Sequence, residues 1–205
     1  MSEMEQRPHI LTLHGMDMAE WLDDVARLRC EVFRSFPYLY DGDAAYEQQY
    51  LAAYTRSPGS VLVLALAGEQ VVGASTGLPM KEADPAFQRP FQQRGIPVER
   101  VFYCGESVLL PAFRGLGLGH RFFDEREAHA RSLAGIHWIS FASVERAASD
   151  PRRPADYRSN DLFWSRRGYA PQPDMKIQLP WKQIGEANEA EQTLTMWLRT
   201  LEPTP

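Results

Sequence analysis

The sequence has few of the features that mark membrane, disulfide-rich or nucleic-acid-binding proteins. It contains two cysteines, Cys30 and Cys104, on apolar segments without metal-ligand spacing, so we expect a reduced chain with no metal site. No apolar run approaches the roughly 18 residues that a membrane span needs. The formal net charge of −5 disfavours nucleic acid, because phosphate binding depends on concentrated lysine and arginine.

The beginning of the sequence also lacks a targeting pattern. The stretch MSEMEQRPHI has no charged segment followed by an apolar core, which a secretory signal would show. We therefore expect a cytoplasmic protein, a monomer or homodimer, whose partners include neither nucleic acid nor membrane.

The composition that is present is typical of a globular protein. Hydrophobic residues make up 44% of the chain, charged residues 24% and aromatic residues 11%. A chain of 205 residues can bury one substantial core and is short for two. We therefore predict a single domain over residues 1–205, of the α/β or α+β class.

Periodicity predicts the order of elements. The predicted strands are HILTLHG, a hairpin over SVLVLALAGEQVVGASTGLPM, VFYCGESVLL, IHWISFASV and DMKIQLPW. The predicted helices are AEWLDDVARLRCEVFRSF with Asp17 as its cap, AAYEQQYLAAYTR, residues 117–133, NDLFWSRRG and an amphipathic C-terminal helix over about residues 186–201. Residues 81–100 are interpreted as a surface insertion with one short helix.

The stretch LLPAFRGLGLGHRFF places three glycines on alternate positions between a predicted strand and a predicted helix. Each glycine costs about 1 kcal/mol against alanine inside an element, so Gly115, Gly117 and Gly119 need a use. A helix N-terminus with free N–H groups and no side chains in the way would hold a diphosphate. The P-loop and Rossmann patterns both fit this spacing badly. The alternative is a strand-to-helix connection whose glycines serve only close packing.

This segment resembles the signature of the GCN5-related N-acetyltransferase (GNAT) family. The family's loop has the form Arg/Gln-x-x-Gly-x-Gly/Ala, matched here by Arg114, Gly117 and Gly119. The resemblance covers roughly residues 9–181 and leaves the C-terminal helix as an addition. It implies a mixed, mostly antiparallel sheet that splays at the cofactor site and is flanked by helices.

The resemblance also implies acetyl-CoA as co-substrate. Backbone amides would hold the pyrophosphate over Arg114, Gly115, Leu116, Gly117, Leu118 and Gly119. The pantetheine would follow the strand at Val108, Leu109 and Leu110. Asn160 is an ordinary helix cap or, alternatively, a contact to the pantetheine.

For the chemistry, the resemblance points to Glu106 on the signature strand as the general base. An ammonium group with a pKa near 10.4 must lose a proton before it attacks, and a partly buried carboxylate can accept it. The alternative is a structural carboxylate that holds a bulge at Gly105. Where many members place a tyrosine acid, this sequence has Trp164.

The acceptor side is predicted from the stretch FRSFPYLYDGDAAYEQQY, which corresponds to the loop that lines the acceptor site in the family. Phe36, Tyr38, Tyr40 and Tyr46 would form an aromatic wall, and Asp41 or Asp43 would pair with an amine of a small molecule or peptide. The alternative is that these aromatics belong to the core. Two function classes remain open. One is a direct-transfer N-acetyltransferase, and the other is a non-catalytic acyl-CoA sensor or partner-binding module. Trp164 favours the non-catalytic class.

Overall fold

The computed structural model describes residues 7–201. The strands are β1 (His9–Leu13), β2 (Val61–Ala67), β3 (Gln70–Pro79), β4 (Val101–Leu109), β5 (Trp138–Val144), β6 (Ala170–Lys182) and β7 (Glu189–Thr200). The helices are α1 (Leu22–Phe33), α2 (Ala44–Arg56), α3 (Pro85–Gln93), α4 (Leu118–Ser132) and α5 (Asp161–Arg166). Among these described residues, we find no helix with the length and apolar character of a membrane span.

The strands form one seven-stranded sheet in the order β1-β2-β3-β4-β5-β7-β6. Every neighbouring pair is antiparallel except β4 and β5, which run parallel. Those two strands are paired over only three residues of each, Val101–Tyr103 against Trp138–Ser140. Beyond them the strands diverge, which confirms the prediction of a mixed, mostly antiparallel sheet that splays.

Two hydrophobic clusters cover the two faces of the sheet. Helices α1 and α2 contribute to one, together with Tyr103 and Val108 of β4. Helix α4 contributes to the other, together with Phe102 and Cys104 of the same strand. Helix α5 lies at the edge of the second cluster through Phe163. The sheet is therefore a middle layer with helices on both sides.

The predicted C-terminal helix is wrong, because residues 189–200 form strand β7. This strand lies inside the sheet, with β5 on one side and β6 on the other. Leu194 and Met196 are buried in the cluster under α1, whereas Trp197 belongs to the cluster under α4. An interior strand buries both faces, and the resulting apolar residues also fall at helical spacing.

Two smaller predictions are corrected as well. Asp17 does not cap α1, because it lies inside a 3-10 helix, Gly15–Trp21, that precedes Leu22. The segment over residues 81–100 is more than a surface insertion, since Phe91 of α3 is fully buried and α3 packs against β6. Its aromatic residues lie one helical turn apart on a single apolar face.

Strand β4 contains a bulge that decides where Glu106 points. The pairing with β3 shifts between Ser75 and Gly77, so that Gly105 and Glu106 oppose a single residue. On a regular strand, Tyr103 and Val108 would face opposite sides, because an odd number of positions separates them. With the extra residue both face α1, and Glu106 faces the same side as Val108.

Candidate active site

The gap between β4 and β5 opens into a cleft of about 1660 Å³ that passes through the sheet. Gly119 and Phe122 of α4 line it on one face, and Phe33 of α1 and Glu106 line it on the other. A ligand in this cleft can therefore reach residues on both sides of the sheet. Its lining combines aromatic and other apolar side chains with many charged and polar ones, and clefts between secondary-structure elements are typical binding sites.

The glycine-rich turn forms one end of the cleft. Gly115 and Gly117 have φ values of +79° and +80°, a conformation that L side chains rarely adopt. A Cβ at either position would meet no atom within 4 Å, so open space lies over the turn. Gly117 precedes α4, whose first turn has no side-chain cap. Its backbone geometry therefore suits an anionic group such as the pyrophosphate of acetyl-CoA.

The predicted turn residues differ in their exposure. Leu116 is 60% exposed, whereas Leu118 is buried under the helix. Arg114 lines the cleft, and its Nε donates a hydrogen bond to the carbonyl of Leu109 at 3.4 Å. Gly119 lines the cleft too, with its Cα facing the ring of Phe163 of α5.

The backbone N–H groups of β4 point alternately toward its two neighbouring strands, β3 and β5. The N–H of Leu110 donates to the carbonyl of Val72 of β3 at 3.0 Å. Because amide directions alternate along a strand, the N–H of Val108 also faces β3, and that of Leu109 faces the gap beside β5. Of the three residues predicted to bind the pantetheine, Leu109 is thus the one whose amide faces the gap.

Helix α5 forms the opposite wall of the cleft. Asn160 occupies the cap position of α5 but makes no cap hydrogen bond; Ser159 accepts one from Asp161 N instead. The amide of Asn160 is exposed in the cleft wall and available to a ligand. Trp164 packs against Phe141 and Trp197, whose ring centroids lie 4.9 and 5.1 Å away, with the rings inclined at 58° and 65° to its own.

At the other face, Glu106 belongs to a buried cluster of three charges. Arg29 of α1 donates from a terminal nitrogen to Glu106 Oε2 at 2.5 Å and from Nε to Glu47 Oε2 of α2. Within residues 7–201, Glu106 Oε1 and Glu47 Oε1 make no hydrogen bond of good geometry, although the hydroxyls of Thr76 and Tyr40 lie close to the two carboxylates. Two carboxylates and one guanidinium give this cluster a net charge of −1 when all three are ionised.

Burial and the neighbouring charges shift the proton affinity of these groups. Burial raises the pKa of Glu106, and the charge of Arg29 opposes that rise without cancelling it. Burial by itself would lower the pKa of Arg29. The charges of Glu106 and its neighbours outweigh burial and hold that pKa well above its usual value. Burial also raises the pKa of Tyr38, which lines the cleft beside Glu106, to about 12. Glu106 therefore accepts a proton more readily than an exposed glutamate.

Arg126 of α4 supports the bulge from the other side of the sheet. It is 2% exposed, and one terminal nitrogen donates to the carbonyl of Glu106 at 3.2 Å and lies 3.5 Å from the carbonyl of Thr76. A bulge interrupts the ladder and leaves such carbonyls without strand partners. The guanidinium replaces those partners and fixes the backbone of Glu106.

The predicted acceptor residues separate into two groups. Phe36 and Tyr38 line the cleft. Tyr40 pairs with Gln183 beyond β6, and Asp41 is held by Lys182 Nζ at 3.0 Å, so both lie away from the cleft lining. The loop between α1 and α2 therefore contributes its first half to the cleft and attaches its second half to the sheet.

Sequence reasoning missed Arg29, Glu47 and Arg126, although a signal was present. Each is a charged residue on the apolar stripe of its helix, at a spacing of three or four residues from buried side chains such as Leu51 and Phe122. Charged residues are seldom fully buried unless they are paired or functional. Their position on the stripe would have marked them as partners of a buried site.

The environment of Cys104 argues against its use as a nucleophile. Cys104 is fully buried, and burial raises its pKa to about 11, so it is not a ready nucleophile. Within residues 7–201, no three His, Cys, Asp or Glu side chains come together as a metal site.

The sequence profile of the Acetyltransferase (GNAT) family matches residues 22–153. No curated protein matches the sequence. Among solved structures, the ribosomal-protein-alanine N-acetyltransferase of Brucella melitensis superposes with a TM-score of 0.61 at 15% identity, over 93% of this chain and 99% of that one.

Two further structures resemble the chain. The yncA protein of Salmonella typhimurium, solved with its cofactor acetyl-CoA, has a TM-score of 0.58 at 13% identity over 95% of each chain. Arabidopsis thaliana NAA60, in complex with a bisubstrate analogue, has a TM-score of 0.55 at 10% identity over 95% of this chain and 100% of that one. At these identities the likeness concerns the fold.

Proposed function

Because the chain belongs to the GNAT acetyltransferase family, we propose that it transfers the acetyl group of acetyl-CoA to a primary amine, with Glu106 as the general base. The observation that carries this proposal is the cleft through the sheet. It joins a glycine-rich turn on one face to a buried carboxylate with a raised pKa on the other.

The donor side is assigned to the turn, β4 and α5. We propose that the amides from Arg114 to Gly119 hold the pyrophosphate, that the amide of Leu109 binds the pantetheine, and that Asn160 contacts it from α5. Acetyl-CoA supplies an activated thioester. The same amide of Leu109 is directed at the gap where a thioester carbonyl would be polarised.

The acceptor side is assigned to the face of α1. Glu106 Oε1 is unpartnered among the described residues and accepts the ammonium proton, directly or through a water molecule. Arg29 keeps the carboxylate oriented and stabilises its charge before the proton arrives. The phenol of Tyr38 stays protonated at neutral pH because its pKa is about 12, so it donates hydrogen bonds beside the reacting groups.

The test is amine-dependent thiol release from acetyl-CoA by the wild type, Glu106→Gln and a surface control, Glu31→Gln on α1. The amines include a diamine, an amino acid, an aminoglycoside and a peptide with a free N-terminus. We expect Glu106→Gln to bind coenzyme A normally and to lose about 10²- to 10⁴-fold in rate at neutral pH, with a smaller loss as pH rises. Superimposable pH–rate profiles for the wild type and Glu106→Gln would remove Glu106 from the mechanism.

The alternative is an acyl-CoA sensor without turnover. Trp164 favours it, because this residue stands where many members of the family place the tyrosine that protonates the departing thiolate. Coenzyme A binding by calorimetry, together with no thiol release from any amine in the panel, would establish the sensor instead of the enzyme.

A further inference from the structure

The guanidinium of Arg126 is a buried charge on the donor side of the cleft. The residue is 2% exposed and lines the cleft from α4. It forms no ion pair among the residues that the structure describes, whereas Arg29 and Arg167 pair with Glu106 and Glu127. Its Nε also has no hydrogen-bond partner within residues 7–201. A buried cation without a counter-ion is unfavourable, which indicates that a ligand in the cleft supplies the counter-charge.

The ionisable groups around Arg126 do not supply that charge. Glu127, the next residue of α4, is already surrounded by donors. Its carboxylate is held by three arginines and a tyrosine, namely Arg131, Arg167, Arg199 and Tyr169. The thiol of Cys104 stays protonated at neutral pH, because burial raises its pKa to about 11. Burial also raises the pKa of Tyr169, so that phenol is neutral as well.

The bulge of β4 is held from both faces of the sheet, and Arg126 holds one of them. The hydroxyl of Tyr54 lies where a Cβ at Gly105 would be. On the other face, Arg126 donates from Nη1 to the carbonyl of Glu106 at 3.2 Å, and Ser75 Oγ donates to the same carbonyl at 2.9 Å. The carbonyl therefore keeps a partner if the guanidinium is removed, and Nε of Arg126 is not needed for the bulge.

The charge of Arg126 is balanced through the sheet only while Glu106 is ionised. The cluster of Glu106, Glu47 and Arg29 carries a net charge of −1 when all three are ionised. Burial raises the pKa of Glu106, and the charge of Arg126 is among those that oppose the rise. When Glu106 accepts a proton the cluster becomes neutral, so Arg126 loses this balance at that moment.

Arg126 also lies in the direction that the donor would take from the turn. Gly119, Phe122 and Arg126 all line the cleft from α4. At 1.5 Å per residue, Arg126 lies about 10 Å beyond Gly119 along the helix axis. About the same distance separates Leu109 from Glu106 along β4. With the pyrophosphate at the turn and the pantetheine along β4, the sulfur would approach Arg126.

The side chains that could protonate a leaving thiolate are poorly suited to it. Trp164 stands where many members of the family place a tyrosine acid. The phenol of Tyr38 has a pKa of about 12, well above the value near 8.5 of a cysteine thiol, so its proton would not pass readily to a thiolate. Burial raises the pKa of Tyr157 too, and its ring packs against Phe36 of the acceptor loop. Charge pairing is the means of stabilising the sulfur that these residues leave.

We propose that Arg126 pairs with the sulfur of coenzyme A and stabilises the thiolate as it leaves. This inference rests on the proposed acetyl transfer. The acceptor ammonium gives one proton to Glu106, and its nitrogen then forms a bond to the carbonyl carbon. The carbon–sulfur bond breaks with its electron pair on sulfur, and the second nitrogen proton passes to solvent water. The thiolate thus forms while Glu106 is protonated and Arg126 lacks its balancing charge.

The test titrates the thiol of bound coenzyme A through the ultraviolet absorbance that a thiolate has and a thiol lacks. Desulfo-coenzyme A, which has no sulfur, gives the background from the protein. In the wild type, the cation should lower the pKa of the bound thiol at least about one unit below that of free coenzyme A. Arg126→Met removes the charge and keeps an apolar stem, so its bound thiol should titrate at or above the free value.

Two further variants show whether the charge is the cause. Arg126→Lys keeps a positive charge and should retain part of the lowered thiol pKa. Arg121→Met, on the exposed side of α4, should titrate like the wild type. A wild-type thiol that titrates at or above the free value would overturn the proposal without any variant. An equally lowered pKa in the wild type and Arg126→Met would overturn it too, because the guanidinium would not be the cause.

Initial rates separate this inference from the proposed function. If the wild type acetylates an amine, Arg126→Met should lower kcat about 10²- to 10³-fold, as the loss of one oxyanion donor does, and leave the KM of the amine unchanged. Acetylation together with an unshifted thiol pKa would overturn the role of Arg126 alone. A lowered thiol pKa without acetylation of any amine would overturn the proposed transfer alone.

Discussion

The guanidinium of Arg29 pairs with two carboxylates, those of Glu106 and Glu47. The protonation of Glu106 therefore depends on the charge of Glu47. Glu106 and Glu47 are both buried, and each leaves one oxygen unpartnered within residues 7–201. A buried pair of carboxylates on one cation resists full ionisation, because the second negative charge lacks a counter-ion. The charge of Glu47 accordingly contributes to the raised pKa of Glu106.

Replacing Glu47 should therefore shift the pH dependence of the enzyme. In Glu47→Gln the neighbouring negative charge is gone and Arg29 serves Glu106 alone, so the pKa of Glu106 falls. The base is then deprotonated at lower pH, and the acidic limb of the kcat/KM profile should move to lower pH. The control Glu31→Gln, on the exposed side of α1, should leave the profile in place. An acidic limb that stays fixed or moves to higher pH in Glu47→Gln would contradict this coupling.

At the scale of single residues, the sequence predicted the chemically important residue types more reliably than it predicted the contacts between them. Glu106 stood out as an acid within an apolar strand, and the structure places it in the cleft. Asp41, with Asp43 as the alternative, was predicted to pair with an amine, yet Lys182 of β6 already pairs with it. Its partner Lys182 is 141 residues away in the sequence, and no local pattern predicts such a pairing.

At the scale of elements, the turn before α4 offers a direct test of donor binding. Gly119 follows the turn without a positive φ, and a Cβ there would meet no atom nearer than 3.9 Å. Gly119→Val should fold normally and place its methyl groups in the cleft, so coenzyme A affinity should fall at least about tenfold. Arg121→Val, on the exposed side of the same helix, carries the same β-branched side chain and should bind normally. Calorimetry with unchanged affinity in folded Gly119→Val would place the donor elsewhere.

Strand β7 gives a second test at this scale. Met196 is fully buried in the strand, although a helix over the same residues would turn it away from the predicted apolar face. Met196→Ala should lower the free energy of unfolding by about 2–5 kcal/mol, as truncations in a core do. Thr200→Ala, at an exposed position, should change it by less than about 0.5 kcal/mol. Urea unfolding that shows no difference between the two variants would argue against the strand.

The error at β7 has a physical cause. Leu194, Trp197 and Leu198 satisfy a helical period, and the same residues alternate between the two faces of a strand that is covered on both. Distance to the partner is not the cause, because β7 forms a hairpin with β6 in which Lys182 pairs with Glu189, as local as the hairpin of β2 and β3. The cause is the ambiguous period of a strand that is covered on both faces.

At the scale of the whole molecule, the cleft through the sheet predicts the kinetic mechanism. We propose that donor and acceptor enter from opposite faces and are present together, because Cys104 is buried with a pKa of about 11 and cannot readily carry the acetyl group. Initial-rate plots against both substrates should intersect, and Cys104→Ala should retain acetylation. Parallel plots, or a burst of thiol in the absence of amine, would instead indicate a covalent intermediate.

The contact between Tyr54 and Gly105 has a consequence for how such sequences diverge. Because the phenol of Tyr54 occupies the space of a side chain at position 105, Gly105 is not free to change by itself. A mutation that gives position 105 a Cβ would be tolerated only after position 54 has lost its hydroxyl or its ring. Over evolutionary time, the two positions should therefore vary as a correlated pair, with the smaller residue at 54 acquired first.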